Sequence, residues 1–210
     1  MTGPSPETLH PLAGFPRVVF LRALAACRTN VDIGEFCYYD DPPEPEAFFE
    51  RNDLHHYDFL GDRLVIGRLV AIASGVRILM NGGTLAIAGF STYPFNVFCG
   101  AWAQGFDPAS HKSDTVIGSD AWVGTNAVLM PGITIGPGVL IATRSVVIHD
   151  VPAYALAIGN AARIVRRRFD EATVSRLLAL AWWDWPVDHI TAHLDAIRGA
   201  DITALKKAAP

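Results

Sequence analysis

The chain is short of charge, of cysteine and of long apolar runs, and each shortage excludes something. Only 18% of its 210 residues are charged and the balance is acidic, −4 overall, with an isoelectric point near 5.9. A nucleic acid partner calls for a basic surface, so none is expected. No apolar stretch approaches the ~20 residues of a membrane-spanning helix. Met1 to Gly14 is proline-rich and has no apolar segment of the secretion-signal kind. The expectation is a cytoplasmic protein with no membrane partner. Cys27, Cys37 and Cys99 make no CxxC pair and leave one odd thiol. That fits a reducing compartment and gives no metal site. Half of the residues are hydrophobic, enough for one good core plus a small appended segment.

The apolar residues are not scattered. Ile117, Val123, Leu129, Ile135, Ile141 and Val147 stand six apart. Neither a helix nor an ordinary strand has that period, and a fixed period means one stacked unit. A unit of six is one short strand and one corner. Each strand sends an aliphatic side chain to a shared axis, which describes a parallel β-helix. Three such strands close one triangular coil, so Ile117 is expected against Ile135 and Val123 against Ile141. The fourth residue after each anchor is small or apolar (Ala121, Ala127, Ile133, Val139, Ser145), and the residue directly after the anchor is mostly small (Gly118, Gly124, Met130, Gly136, Ala142). Small residues suit tight corners. Earlier traces of the period are Ile66, Ile72 and Ile78, with Val31 and Ile33 as a less regular coil.

These patterns divide the chain. Residues 1–26 read as an irregular arm with a short helix near Val18–Ala26. Residues 27–160 read as the β-helix, broken by an acidic proline-rich insert from Tyr39 to Glu46 and by an inserted loop, 81–116. That loop is too long for a corner and too aromatic for disorder, since it carries Phe90, Tyr93, Phe95, Phe98 and Trp102. Left in water it would expose a large apolar patch, so it is expected to protrude and pack on a second copy. Residues 161–210 read as a basic turn, Arg163 to Arg168, and helices that close the open end of the coil. Asp170 is the expected N-cap of the first, and a second is expected to run from Asp188 to Ile197.

Several segments carry a resemblance to a known family. They are Tyr38-Tyr39-Asp40, His56 to Asp62 (HYDFLGD), Met80-Asn81-Gly82, Gly89 to Asn96 (GFSTYPFN), Asp114 to Gly118, Met130-Pro131-Gly132, Gly159-Asn160 and Trp182 to Pro186 (WWDWP). In this order they resemble the hexapeptide-repeat xenobiotic acetyltransferases, which include type B chloramphenicol and streptogramin A acetyltransferases. The resemblance implies an all-β solenoid, a left-handed parallel β-helix, assembled as a homotrimer with sites between subunits. Acetyl-CoA would be the co-substrate, lying along a corner of one subunit. A small-molecule acceptor would sit under the long loop of the next, among Tyr38, Asp40, Asn81, Tyr93, Phe95 and Trp102. The cofactor would meet Trp122, Gly124, Gly136, Ala142, Thr143, Asn160, Arg163, Arg167 and Arg168, with the arginines on its phosphates.

The family carries a histidine soon after its Met-Asn-Gly segment, and this side chain removes the acceptor proton. The present chain reads Asn81-Gly82-Gly83-Thr84-Leu85, so Leu85 stands at the base position and is not competent. Loss of a positioned base typically costs 10²–10⁴-fold in rate. Of the other histidines, His10 lies in the arm, and His149, His189 and His193 are expected exposed in or beyond the last coils. His55 and His56 precede a strand, and His111 in the long loop is a weak substitute candidate. The function expected is acetyl-CoA-dependent O-acetyl transfer to a small hydroxylated compound, with antibiotics among the candidates. The alternatives are a trimeric ligand-binding descendant without catalysis, or an acyltransferase with an amine acceptor.

Overall fold

The computed structural model describes residues 3–85, 87–98, 100–103 and 111–210; Cys99 and the segment 104–110 lie outside these. The chain opens with β1 (Val18–Phe20), α1 (Leu21–Ala25), β2 (Val31–Ile33), β3 (Tyr38–Asp40), α2 (Phe48–Arg51) and β4 (Asp53–Leu54). Short strands then follow one another: β5 (Leu64–Ile66), β6 (Ala71–Ala73), β7 (Arg77–Leu79), β8 (Thr115–Ile117), β9 (Trp122–Val123), β10 (Val128–Leu129), β11 (Thr134–Ile135), β12 (Leu140–Ile141) and β13 (Val146–Val147). A hairpin, β14 (Ala155–Gly159) and β15 (Ala162–Arg167), ends the β region. Four helices follow: α3 (Glu171–Leu180), α4 (Val187–Ala192), α5 (Leu194–Arg198) and α6 (Ile202–Lys207).

From β2 to β13 successive strands are dealt in strict rotation to three sheets. The first has the order β1-β3-β6-β9-β12-β14-β15, the second β2-β5-β8-β11 and the third β4-β7-β10-β13. All pairs are parallel except the two outermost of the first sheet, β1 with β3 and β14 with β15. The six-residue period has the consequence expected of it. Ile117 pairs with Ile135, Val123 with Ile141 and Leu129 with Val147. These anchors, together with Ile66, Ile72 and Ile78, are almost fully buried. A single core runs up the axis and includes Ala121, Ala127, Ile133 and Val139.

Corners are as regular as strands. Phe36, Leu69, Asp120, Gly138 and Tyr154 all have φ between 57° and 66°, one per coil, where the chain passes from the second sheet to the first. Glycine is required where coils touch there: a Cβ on Gly118 would lie 2.6 Å from the nitrogen of Pro137.

Four expectations are corrected. Val18–Phe20 is a strand and only Leu21–Ala25 is helical, because the arm adds an antiparallel edge to the first sheet. The proline-rich insert begins after Asp40, since Tyr39 is a core residue of β3 whose hydroxyl meets Asp41 and Asn52. Thr115 belongs to the resumed coil, buried, with its hydroxyl accepting from the Gly132 amide. The second tail helix is split at His193, where φ is −120° and ψ 24°, and α6 follows it. Asp170 is the N-cap of α3, accepting from the Thr173 amide. Trp183 and Trp185 are buried in a second apolar cluster with Tyr154, which joins the helices to the last coils.

Candidate functional site

The inserted loop leaves after β7 and returns before β8, where the third sheet turns into the second. Its root is cinched. Asn81 is buried, and its amide spans the opening: Nδ2 donates to the Lys112 carbonyl and Oδ1 accepts from the Lys112 amide, each at 3.0 Å. The Asn81 N–H donates to Asp62 Oδ2 at 2.9 Å. Lys112 leans on Gly132, where a Cβ would come within 2.3 Å of it. Both ends of the Asn81 amide are therefore occupied in tying the loop.

Beneath this root lies a buried polar cluster. Asp53 pairs with Ile78 of β7 and so stands at the foot of the column Val147, Leu129, Ile78, where an aliphatic anchor would otherwise be. It accepts from His56 Nδ1 at 2.8 Å, while His56 Nε2 reaches the Asp62 carbonyl at 3.1 Å. The His56 side chain is 2% exposed. Burial pushes its pKa down, but the Asp53 hydrogen bond and charge, with help from Asp62, outweigh that and the net shift is upward.

Above the root the loop shows apolar surface. Tyr93 packs on Phe95 and Phe98, with centroids 4.8 and 5.6 Å apart, and Trp102 meets Phe95 and Phe98 edge-on. All four rings remain about half exposed. Leu85 is 53% exposed and Ile87 84%. Tyr38 and Trp122 lie elsewhere, two strands apart on the outer row of the first sheet with Ala71 between them. Burial and then the Asp40 charge push the Tyr38 phenol up, so it stays a neutral donor. Asp40 is ion-paired with Arg17.

The expected cofactor residues divide between two corners. Gly124, Ala142 and Thr143 lie where the first sheet turns into the third; a Cβ on Gly124 would meet Ile141 O and Thr143 N at 2.7 Å. Asn160 continues that corner upward, bridging to Val146. Arg144, exposed and with φ 58°, belongs to the same corner and was missed, although its place directly after Thr143 is legible in the repeat. Gly136 lies on the other corner, against Ala153. So does Arg168, which is already engaged: Nη1 donates to Gly138 O at 2.7 Å, and the guanidinium lies over Tyr154 and Phe169 and 3.8 Å from Asp120. Burial pushes Asp120 up to about 6, with Arg168 opposing. Arg163 and Arg167 are exposed on β15.

The other histidines separate by location. His10 meets Glu46 at 3.1 Å. His189 and His193 are half-buried and not exposed as expected, because each bonds a backbone carbonyl of the helical cap. His149 is exposed in the last coil, and His111 is exposed where the loop returns. Among the described residues no three His, Cys, Asp or Glu side chains gather as a metal site, and no helix is long and apolar enough to cross a membrane.

Comparison with known proteins fits this geometry. Residues 114–149 match the family described as bacterial transferase hexapeptide (six repeats). A "Probable macrolide acetyltransferase" of Lysinibacillus sphaericus is 40% identical over 161 residues, 75% of this chain and 89% of that protein. A virginiamycin A acetyltransferase of Staphylococcus aureus is 35% identical over 208 residues, 98% of this chain and 93% of that one. A chloramphenicol acetyltransferase of Agrobacterium fabrum is 37% identical over 186 residues, 84% and 86% of the two chains. Among solved structures, a maltose O-acetyltransferase from Clostridium difficile 630 overlaps at a TM-score of 0.42 with 25% identity, covering 68% of this chain and 61% of that one, too loosely to add to the argument. A stacked six-residue repeat, an inserted aromatic loop and likeness to three acetyltransferases over 75%, 84% and 98% of the chain agree, and the chain belongs to the hexapeptide-repeat acetyltransferases.

Proposed function

We propose that the protein transfers an acetyl group from acetyl-CoA to a hydroxyl of a small molecule, in a site built between subunits of a homotrimer of left-handed β-helices. The acceptors named for its relatives, chloramphenicol, macrolides and virginiamycin A, make an antibiotic of that size the first class to try.

One observation carries this reading. The cinched aromatic loop and the corner of Gly124, Ala142, Thr143, Arg144 and Asn160 lie on different corners of the same prism, with the third sheet between them. A site that uses both draws the loop from one chain and the corner from a neighbour. The half-exposed rings of the loop supply the apolar surface such a contact needs. The corner residues suit CoA. Trp122 is exposed beside Gly124, Ala142 and Thr143 are short side chains, and Arg144, Arg163 and Arg167 are exposed and would meet phosphates in charge-assisted pairs. When bound, acetyl-CoA supplies the activated acyl group. The chain's own part is to align the acceptor oxygen with it and to exclude water, which by itself contributes several kcal/mol.

The test joins two measurements: CoA binding by calorimetry, and thiol release against a panel of alcohols and amines. Turnover with alcohols is expected. CoA binding with turnover only on amines would move the acceptor class. No CoA binding would leave a ligand-binding descendant as the better reading.

A further inference from the structure

We infer that His55 is the general base of this transferase, its imidazole taking the proton of the acceptor hydroxyl at the root of the loop. The inference rests on the transferase reading above. That chemistry needs a proton acceptor, because an alcohol attacks a thioester slowly while it keeps its proton. Leu85 accepts none.

The backbone around His55 is fixed from three directions. Before it, Asp53–Leu54 pairs with Ile78–Leu79 of the coil above. After it, His56 is locked between Asp53 and the Asp62 carbonyl. At the residue itself, the carbonyl accepts from the Gly82 amide at 3.0 Å. His55 holds φ at 61°, a left-handed conformation uncommon for a residue other than glycine. The same conformation recurs at the coil corners Phe36, Leu69, Asp120 and Tyr154, so the fold of the coil sets the backbone of His55.

The side chain stands out from this pinned backbone and is exposed. It runs along the turn Asn81–Gly83: a Cβ on Gly83 would lie 3.0 Å from His55 Cδ2, and one on Gly82 would lie 2.4 Å from the His55 carbonyl and 2.5 Å from the Tyr57 ring. The two glycines are thus moulded to His55 and Tyr57. Glycine at position 83 leaves the space that the imidazole occupies. Thr84 and Leu85 follow at once, so the ring lies against the turn that carries Leu85. His56 is no rival. It is buried with both ring nitrogens engaged, and with Asp53 it acts as a positioning residue for its neighbour.

In the step, a ring nitrogen of neutral His55 takes the hydroxyl proton as the acceptor oxygen bonds to the thioester carbonyl carbon. The tetrahedral adduct then expels the CoA thiolate by breaking the C–S bond. The thiolate takes the proton back from the imidazolium, leaving an acetyl ester, CoA–SH and neutral His55.

The experiment is steady-state turnover with acetyl-CoA and the best alcohol found in the panel. His55→Asn is the informative variant, since asparagine tolerates the left-handed conformation and accepts no proton at neutral pH. It is expected to lower kcat by 10²–10⁴-fold and to leave CoA affinity and Tm near wild type. Gly83→Ala, which crowds the ring, should lower kcat in the same direction. Thr84→Asn with Leu85→His in the His55→Asn background should restore turnover. An active wild type whose His55→Asn variant keeps its kcat overturns the inference alone, all the more if His111→Ala is the variant that loses activity. A wild type that binds CoA and turns over no alcohol overturns the O-transferase reading and the inference with it.

Discussion

The coils from Ile117 to Val147 and the loop from Asn81 to Trp102 contain comparable shares of apolar residues, yet they resolve them in opposite ways. In the coils every anchor but Val147, which ends its column, has a partner above and below in its own chain, and none is more than 2% exposed. In the loop Leu85, Ile87, Phe90, Val97 and Trp102 are all more than half exposed. The coils are complete within one chain. The loop has a tied root and an exposed apolar surface, the one assigned above to the proposed neighbour and acceptor, whereas the apolar residues of the coils report on folding.

Substitutions sharpen that contrast, beginning with the largest effect. Ile135→Ala removes an anchor with neighbours on both sides and should lower unfolding free energy by about 2–5 kcal/mol, read as a fall in Tm. Phe90→Ala, at a fully exposed position, should move the same measurement by less than ~0.5 kcal/mol. Equal losses would break the comparison. Phe98→Ala with Trp102→Ala should leave coil stability unchanged but, if the proposed trimer packs on this loop, reduce its fraction in light scattering.

Asn81→Ala strips the tie between the loop ends and strands the Lys112 backbone groups. About 1–3 kcal/mol of local stability should go. Hydrogen exchange should quicken from Thr84 to Trp102 and not in the strands above. Uniformly faster exchange would mean that the root belongs to the coils energetically.

Asp120 tests the other end of the molecule. Its folded pKa of about 6 lies above the ordinary value of 3.8, so the folded state holds the proton more tightly. Its contribution to stability is therefore greatest at low pH and is lost as pH rises from about 4 through 6. Asp120→Asn should stabilise the protein by about 1–2 kcal/mol at pH 7 and flatten that stretch of the Tm profile. A steeper profile would refute the assignment. The smallest effects are expected on the corner proposed for CoA: Arg144→Ala or Arg163→Ala should weaken CoA binding by a few-fold and flatten its salt dependence. Arg168→Ala should lower Tm instead, since that guanidinium holds Gly138 and the tail.

The sequence made the coils legible because their period is itself the geometry: a residue six places on lies on the next face, and one eighteen places on lies overhead. The N-cap Asp170 and the tryptophan-rich cap were readable for similarly local reasons. The loop root was not. Asn81 meets Lys112 across 31 residues, and no local pattern encodes which of seven histidines will lie against Gly83. Asp53 in an anchor column was equally hidden, because a carboxylate breaks the pattern that identifies the column. The cofactor residues were read as one set because each lies near a corner. The rotation of strands among three sheets assigns them to two.

The register kept across the inserted loop bears on how the protein folds. Ile66 pairs with Ile117, a closure over 51 positions where the coils after the loop, as at Ile117 and Ile135, close over 18. By the logarithmic law the longer closure adds only about 0.9 kcal/mol of chain entropy. Its larger effect is on timing, since contacts distant in sequence form late. The expected order is nucleation in the uninterrupted coils 115–147, outward zipping from them, and later annealing of the coils that precede the loop. The aromatic segment would then be the last part of the chain to find its place, after the surface that receives it already exists.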